Sequence, residues 1–148
     1  MSFYEKSNVA MLITIIGVYG WYFFLVLGIA DNVPVDEHPI AVAVISVHLA
    51  ITVGLMVLVG IIAHVAIALY GLKKEGEVGD MADERDKTIE MRGDQKGGFI
   101  LGIGVVLTVG LMLIEQSNFV VVNVLLGVLV LAEIVKGISK LIDYRRGI

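Results

Sequence analysis

The chain has 148 residues, is 57% hydrophobic with a mean hydropathy of +0.90, and carries a formal net charge of −4. Soluble domains hold about 45–50% apolar residues even with glycine counted, so an excess of this size points to lipid as solvent and to one membrane domain. The small negative charge excludes a nucleic-acid surface as the default reading. Zero cysteines exclude a disulfide framework, a zinc–thiolate centre and thiolate-held iron–sulfur clusters.

Four uncharged runs follow one another. The first, Ser7 to Ala30, is long enough to cross a hydrocarbon core roughly 30 Å thick. A signal peptide ending at Gly28-Ile29-Ala30 is the competing reading, but the run exceeds a typical h-region of about 7–15 residues and Lys6 is a thin basic flank. Asp31 to Pro39, with two prolines and three carboxylates, reads as a short loop. Ile40 to Leu72 contains no Asp, Glu, Lys or Arg. As a helix it would extend about 50 Å and would have to tilt or project past the headgroups. Gly97 to Ile114 is a shorter span, Glu115 to Asn118 a tight turn, and the last run begins at Phe119 and fades through Glu133, Lys136 and Lys140. The expectation is an all-α membrane four-helix bundle of two antiparallel hairpins, with helices near 8–30, 40–72, 97–114 and 119–142. A partly helical polar segment at 73–96 separates the hairpins.

Charge sets the expected orientation. All 11 Lys and Arg residues lie at Lys6, within 73–96, or at Lys136, Lys140, Arg145 and Arg146. The loops at 31–39 and 115–118 carry none and hold Asp31, Asp36, Glu37 and Glu115 instead. So complete a bias predicts both termini and the 73–96 segment on the cytoplasmic side, with Phe3, Tyr4, Tyr70 and Tyr144 at the same boundary.

His64, Glu133 and Lys136 are the candidate intramembrane polar site, since ionisable groups below the headgroups are costly and default to a functional hypothesis. His64 and Glu133 fall at similar depth, so a proton-accepting pair or cation site between the second and fourth helices is one reading. The other is that Glu133 pairs with Lys136 at i,i+3 on its own helix and both reach for the interface. His48 and His64 invite a haem reading, yet they share one helix and are too far apart to hold one iron. Hydrogen bonding between helices is the plainer use, and no cofactor is expected. Tyr19, Trp21, Tyr22, Phe23 and Phe24 form an aromatic cluster that serves as an interfacial belt with core packing, or as a partner face. Gly93 with Gly97, and Gly98 with Gly102, give two small-xxx-small spacings for close helix packing.

In the polar segment, Asp80 or Asp83 suits an N-cap and the residues through Arg92 favour helix. Arg85, Ile89, Arg92 and Lys96 would line one side and Asp83, Asp86 and Glu90 a neighbouring one. Arg85 and Arg92 with those acids make a candidate docking surface. The basic side would alternatively meet anionic headgroups, or the helix would simply be solvated. The stretch Asp83-Glu84-Arg85-Asp86-Lys87-Thr88-Ile89-Glu90-Met91-Arg92-Gly93-Asp94, leading straight into an apolar helix, resembles the cytoplasmic motif of small bacterial four-helix membrane proteins of unknown function. The resemblance implies a bacterial inner-membrane location and no particular reaction.

No nucleophile–base constellation, phosphate-binding loop or metal-ligand spacing occurs, so no catalytic, cofactor or metal residue is assigned and an enzyme is not expected. The leading expectation is a non-enzymatic membrane protein, an accessory or regulatory subunit or a homo-oligomer. Its partners would be the lipid bilayer and itself or another membrane protein, with no nucleic acid. The alternatives are a small proton- or cation-coupled carrier using His64 and Glu133, and a haem or pigment carrier.

Overall fold

The computed structural model describes residues 3–75 and 84–147 and is all-helical. Its four long helices are α1 (Phe3–Ala30), α2 (Pro39–Glu75), α3 (Glu84–Leu113) and α4 (Asn118–Arg146), with a single 3-10 turn at Val35–Glu37. Each long helix contains a stretch long and apolar enough to cross a membrane. Apolar side chains surround α1 and α2 on all sides, the pattern of a helix solvated by lipid rather than one lying on a soluble core.

Backbone groups at helix ends need partners, and in lipid they need them locally. At the end of α1 the Asn32 side-chain amide donates to the Gly28 carbonyl at 2.7 Å, and Pro34 then prevents the helix from continuing. Pro39 opens α2, where its missing N–H costs nothing. Between α3 and α4, Glu115 takes the left-handed conformation (φ 57°) and the Gln116 N–H donates to the Leu111 carbonyl at 3.1 Å. Ser117 then caps α4, its hydroxyl accepting from the Val120 N–H at 3.3 Å. Arg145 and Arg146 sit in the last turn, favourably placed against the helix dipole, and Gly147 (φ 73°) closes it.

The helices outrun the apolar stretches that announce them. The largest difference is α3, which begins at Glu84 and not at Gly97, so half of the 73–96 segment belongs to one continuous helix. Hydropathy registers where an apolar run starts, whereas helical hydrogen bonding already runs through the polar residues from Glu84 onward. Asp80 and Asp83, the expected caps, lie outside the described residues. Likewise α1 begins at Phe3, α2 runs on to Glu75, and α4 covers Asn118–Arg146.

Packing is uneven. Helix α4 lies against both α3 and α1, and α1 also against α2; among the described residues α2 and α3 make at most marginal contact. Two ends of the molecule can be distinguished. At the basic end, the start of α1, the start of α3 and the end of α4 meet. At the acidic-loop end, the Val35–Glu37 turn tucks Val35 among Tyr22, Val26, Ile45 and Leu126.

Close approach of α3 to α4 depends on glycine. A Cβ at Gly97 would stand 3.1 Å from the Ala132 carbonyl oxygen, and one at Gly104 would overlap the Val128 side chain. Small residues at such crossings let dispersion contacts form where no hydrophobic force acts between helices. Helix α1 is held at Gly137, against which Leu12 packs and whose carbonyl accepts from the Asn8 amide at 2.8 Å.

The aromatic cluster splits between two environments. Tyr22 is buried, stacks edge-on with Phe23 (centroids 5.4 Å apart), and donates its hydroxyl to Asn123 Oδ1 at 3.0 Å. Trp21 and Phe24 point outward. Tyr22→Phe keeps the buried ring and deletes the hydrogen bond, so it should cost about 1 kcal/mol of stability. Thermal unfolding in mild detergent measures this, and an unchanged midpoint would show that the bond contributes nothing net.

Candidate functional site

The polar side chains converge at the basic end, along the seam between α3 and α4. Lys136 Nζ lies 2.8 Å from Asp94 Oδ1 and 4.0 Å from Glu133 Oε2. One turn further along, Lys140 Nζ is 3.1 Å from Glu90 Oε1 and 3.8 Å from the same Asp94 oxygen. Asp94 therefore bridges two lysines. Helical spacing produces this ladder: Glu90 and Asp94 are four apart on α3, Lys136 and Lys140 four apart on α4, and each pair shares a face.

A second set of contacts runs beside the ladder. Lys96 donates to the Ser139 hydroxyl at 2.6 Å, with Asp143 Oδ2 4.0 Å from the same ammonium. Asp143 is buried, and its Oδ2 accepts no hydrogen bond among the described residues. Arg85 donates to the Tyr144 carbonyl at 3.1 Å. Ile89 is fully buried in the midst of these polar contacts. The motif from Glu84 onward thus lies along α4, with Ile89 and Gly93 facing inward, and Lys96 is engaged by α4 on the side that composition would have turned to headgroups.

Each candidate from the sequence can now be placed. Glu133 and Lys136 are neighbours at the i,i+3 distance quoted above; the side chain of His64 lies outside the described ones. Of the docking candidates, Asp83 is likewise outside, Arg85 reaches Tyr144, Glu90 pairs with Lys140, Asp86 is half-buried, and Arg92 is exposed. Gly93 and Gly97 pack on α4, whereas a Cβ at Gly98 or Gly102 would meet nothing. His48 Nδ1 is hydrogen-bonded to the Val44 carbonyl of its own helix at 2.8 Å. No group of three or more His, Asp or Glu residues suited to a metal ion occurs among the described residues.

Asp94, Lys96, Ser139, Lys140, Asp143 and Asn8 are polar contact residues that composition alone did not single out. The i,i+4 repetition of Glu90/Asp94 and Lys136/Lys140 is the signal from which two of them, Asp94 and Lys140, could have been found. Asn8 and Ser139 left no such signal.

A cleft of about 390 Å³ opens beside this seam, between the starts of α1 and α3 and the end of α4, with Ala63 of α2 at its edge. Asp86, Glu90, Glu133, Lys136 and Lys140 line its polar side, and Met11, Leu12 and Ile15 its apolar side. The Glu133 side chain is 55% exposed there.

No protein-family model, curated protein or solved structure matches this chain.

Proposed function

We propose that this chain is a non-enzymatic multi-pass membrane protein that works by lateral assembly, as a homo-oligomer or an accessory subunit. It would sit in a bacterial inner membrane as two antiparallel helical hairpins, with both termini and the 73–96 segment in the cytoplasm. The charge bias supports that orientation, and the contacts of Gly93 with Lys140, Gly97 with Ala132 and Gly104 with Val128 support the antiparallel pairing.

The outer face of α3 carries the assembly reading. Gly98 and Gly102 lie there side by side with Phe99, Ile103 and Val106 around a shallow groove. An exposed valine or leucine in lipid calls for no explanation. Two glycines one turn apart give up contact area to lipid and suit a second helix at short range. A second copy of the chain, presenting the same face about a two-fold axis, would fill the groove with Phe99 and Val106.

The absence of cysteine makes the test direct. Phe99→Cys and Val106→Cys should each give an oxidatively crosslinked dimer in native membranes. Gly98→Leu with Gly102→Leu should abolish it and shift the detergent-solubilised protein to monomer size, with helix content unchanged. Monomeric wild type with no crosslink at either cysteine would sink the homo-oligomer reading. Recovery of another membrane protein in constant ratio would replace it by the accessory-subunit reading.

One observation favours a second reading, the small proton- or cation-coupled carrier. Glu133 presents a half-exposed carboxylate to a cleft at the level where the apolar run of α1 begins and that of α4 fades. Flux of protons or monovalent cations into proteoliposomes, compared between wild type and Glu133→Gln, tests it. Equal flux in both would remove Glu133 as the coupling group.

A further inference from the structure

We propose that the cleft at the basic end binds a hydrophobic organic cation, with its positive centre on Glu133 and its apolar substituents along Met11, Leu12 and Ile15. The proposal rests on the carrier reading only in taking Glu133 as accessible; it concerns binding and requires no transport.

Charge is the first ground. Among the described residues, three carboxylates, Asp86, Glu90 and Glu133, line the cleft with two ammonium groups, Lys136 and Lys140, and Asp94 meets both lysines from beside it. The lysines are already engaged: Lys136 by Asp94 at 2.8 Å, Lys140 by Glu90 at 3.1 Å and by Asp94 at 3.8 Å. Glu133 holds only the far edge of this arrangement, 4.0 Å from Lys136. A carboxylate so weakly paired at the border of the apolar run is costly to leave there, and a ligand cation would supply its counter-charge.

Shape and lining are the second ground. At about 390 Å³ the cleft falls within the size range of small-molecule sites, roughly 300–1,000 Å³. Its walls are divided, charged groups on one side and the Met11, Leu12 and Ile15 face of α1 on the other. Methionine adapts its shape to varied apolar partners. A small hydrated cation would gain nothing from that wall, and an apolar anion would be repelled by the surplus carboxylates. A cation with apolar substituents uses both.

Equilibrium dialysis of the full chain in lipid nanodiscs, with empty nanodiscs subtracted, tests this with three probes. Tetraphenylphosphonium carries the charge and the apolar groups, tetraphenylborate has the same shape with the opposite charge, and tetramethylammonium has the charge alone. Tetraphenylphosphonium should bind saturably at one per chain, with at least tenfold weaker binding of the other two. Glu133→Gln should lower its affinity about tenfold, Glu133→Asp should retain most of it, and both variants should keep the wild-type unfolding midpoint. Equal binding of the borate, or undiminished binding to Glu133→Gln, would overturn the proposal. Binding without any cation flux would sink the carrier reading and leave the site standing; flux without tetraphenylphosphonium binding would do the reverse.

Discussion

Asp94→Lys should loosen α3 from α4 at the basic end and lower stability by on the order of 2 kcal/mol. The substitution deletes the 2.8 Å and 3.8 Å pairs to Lys136 and Lys140 and sets three ammonium groups on adjacent turns. Exposed ion pairs are each worth about 0.2–1 kcal/mol, and like charges at the same spacing cost a similar amount. Asp94 is itself half-exposed, which keeps the sum modest. The double variant Asp94→Lys with Lys136→Asp re-forms one pair with reversed polarity and should recover part of the loss. The residue of the deficit comes from Lys140, which then faces a cation. Unfolding midpoints of the two single variants and the double variant form a thermodynamic cycle, and strict additivity would show that the two side chains do not interact. High salt should shrink the coupling, because Asp94 is half-exposed and its pairs are open to screening.

Gly104→Val should be worse tolerated than any other glycine substitution in the apolar part of α3. A Cβ there overlaps the Val128 side chain, and the neighbouring backbone of α4 has no free direction in which to retreat without parting from Gly97. Overpacking of this kind costs about 1–3 kcal/mol. Gly110→Val is the matched control: on the same helix, a Cβ at that position meets nothing. Val128→Ala should partly rescue Gly104→Val by removing the two methyl groups it strikes, leaving a Cβ–Cβ approach of 2.9 Å, while costing a little on its own. If Gly110→Val proved equally damaging, the loss would come from the helix itself and not from the α3–α4 crossing.

Local chemistry made four apolar helices legible from the sequence. Runs without charge at Ser7–Ala30 and Ile40–Leu72 have no stable alternative in lipid, since only a helix satisfies its own backbone there. The turn at Glu115–Asn118 was legible too, because four polar residues interrupt two apolar runs there. Helix ends at the basic side were not. From Glu84 to Lys96 the residues are polar, and polarity marks where lipid stops rather than where hydrogen bonding stops. The same stretch contains Ile89, a lone isoleucine among charges, whose complete burial nothing in its local sequence announces.

The candidate site was legible in part. Glu133 and Lys136 were marked by depth and by i,i+3 spacing, both one-dimensional quantities. Asp94, the acid that bridges both lysines, looked like any other charge of the polar segment. Its role arises from register, since α3 and α4 meet with Gly97 at Ala132 and so bring Asp94 opposite Lys136. The two glycine pairs were equivalent as spacings. The fold separates them, one pair against α4 and the other on an open face.

Composition, charge placement and helix-forming chemistry thus sufficed for four apolar helices and a charge-rich basic end, because each depends on how a segment meets its solvent. Which helix touches which, which glycines are filled, which carboxylate holds the lysines and where a cleft remains were decided by the tertiary structure. Those depend on rotation and register between segments, and in lipid no hydrophobic force ranks one apolar face of a helix above another.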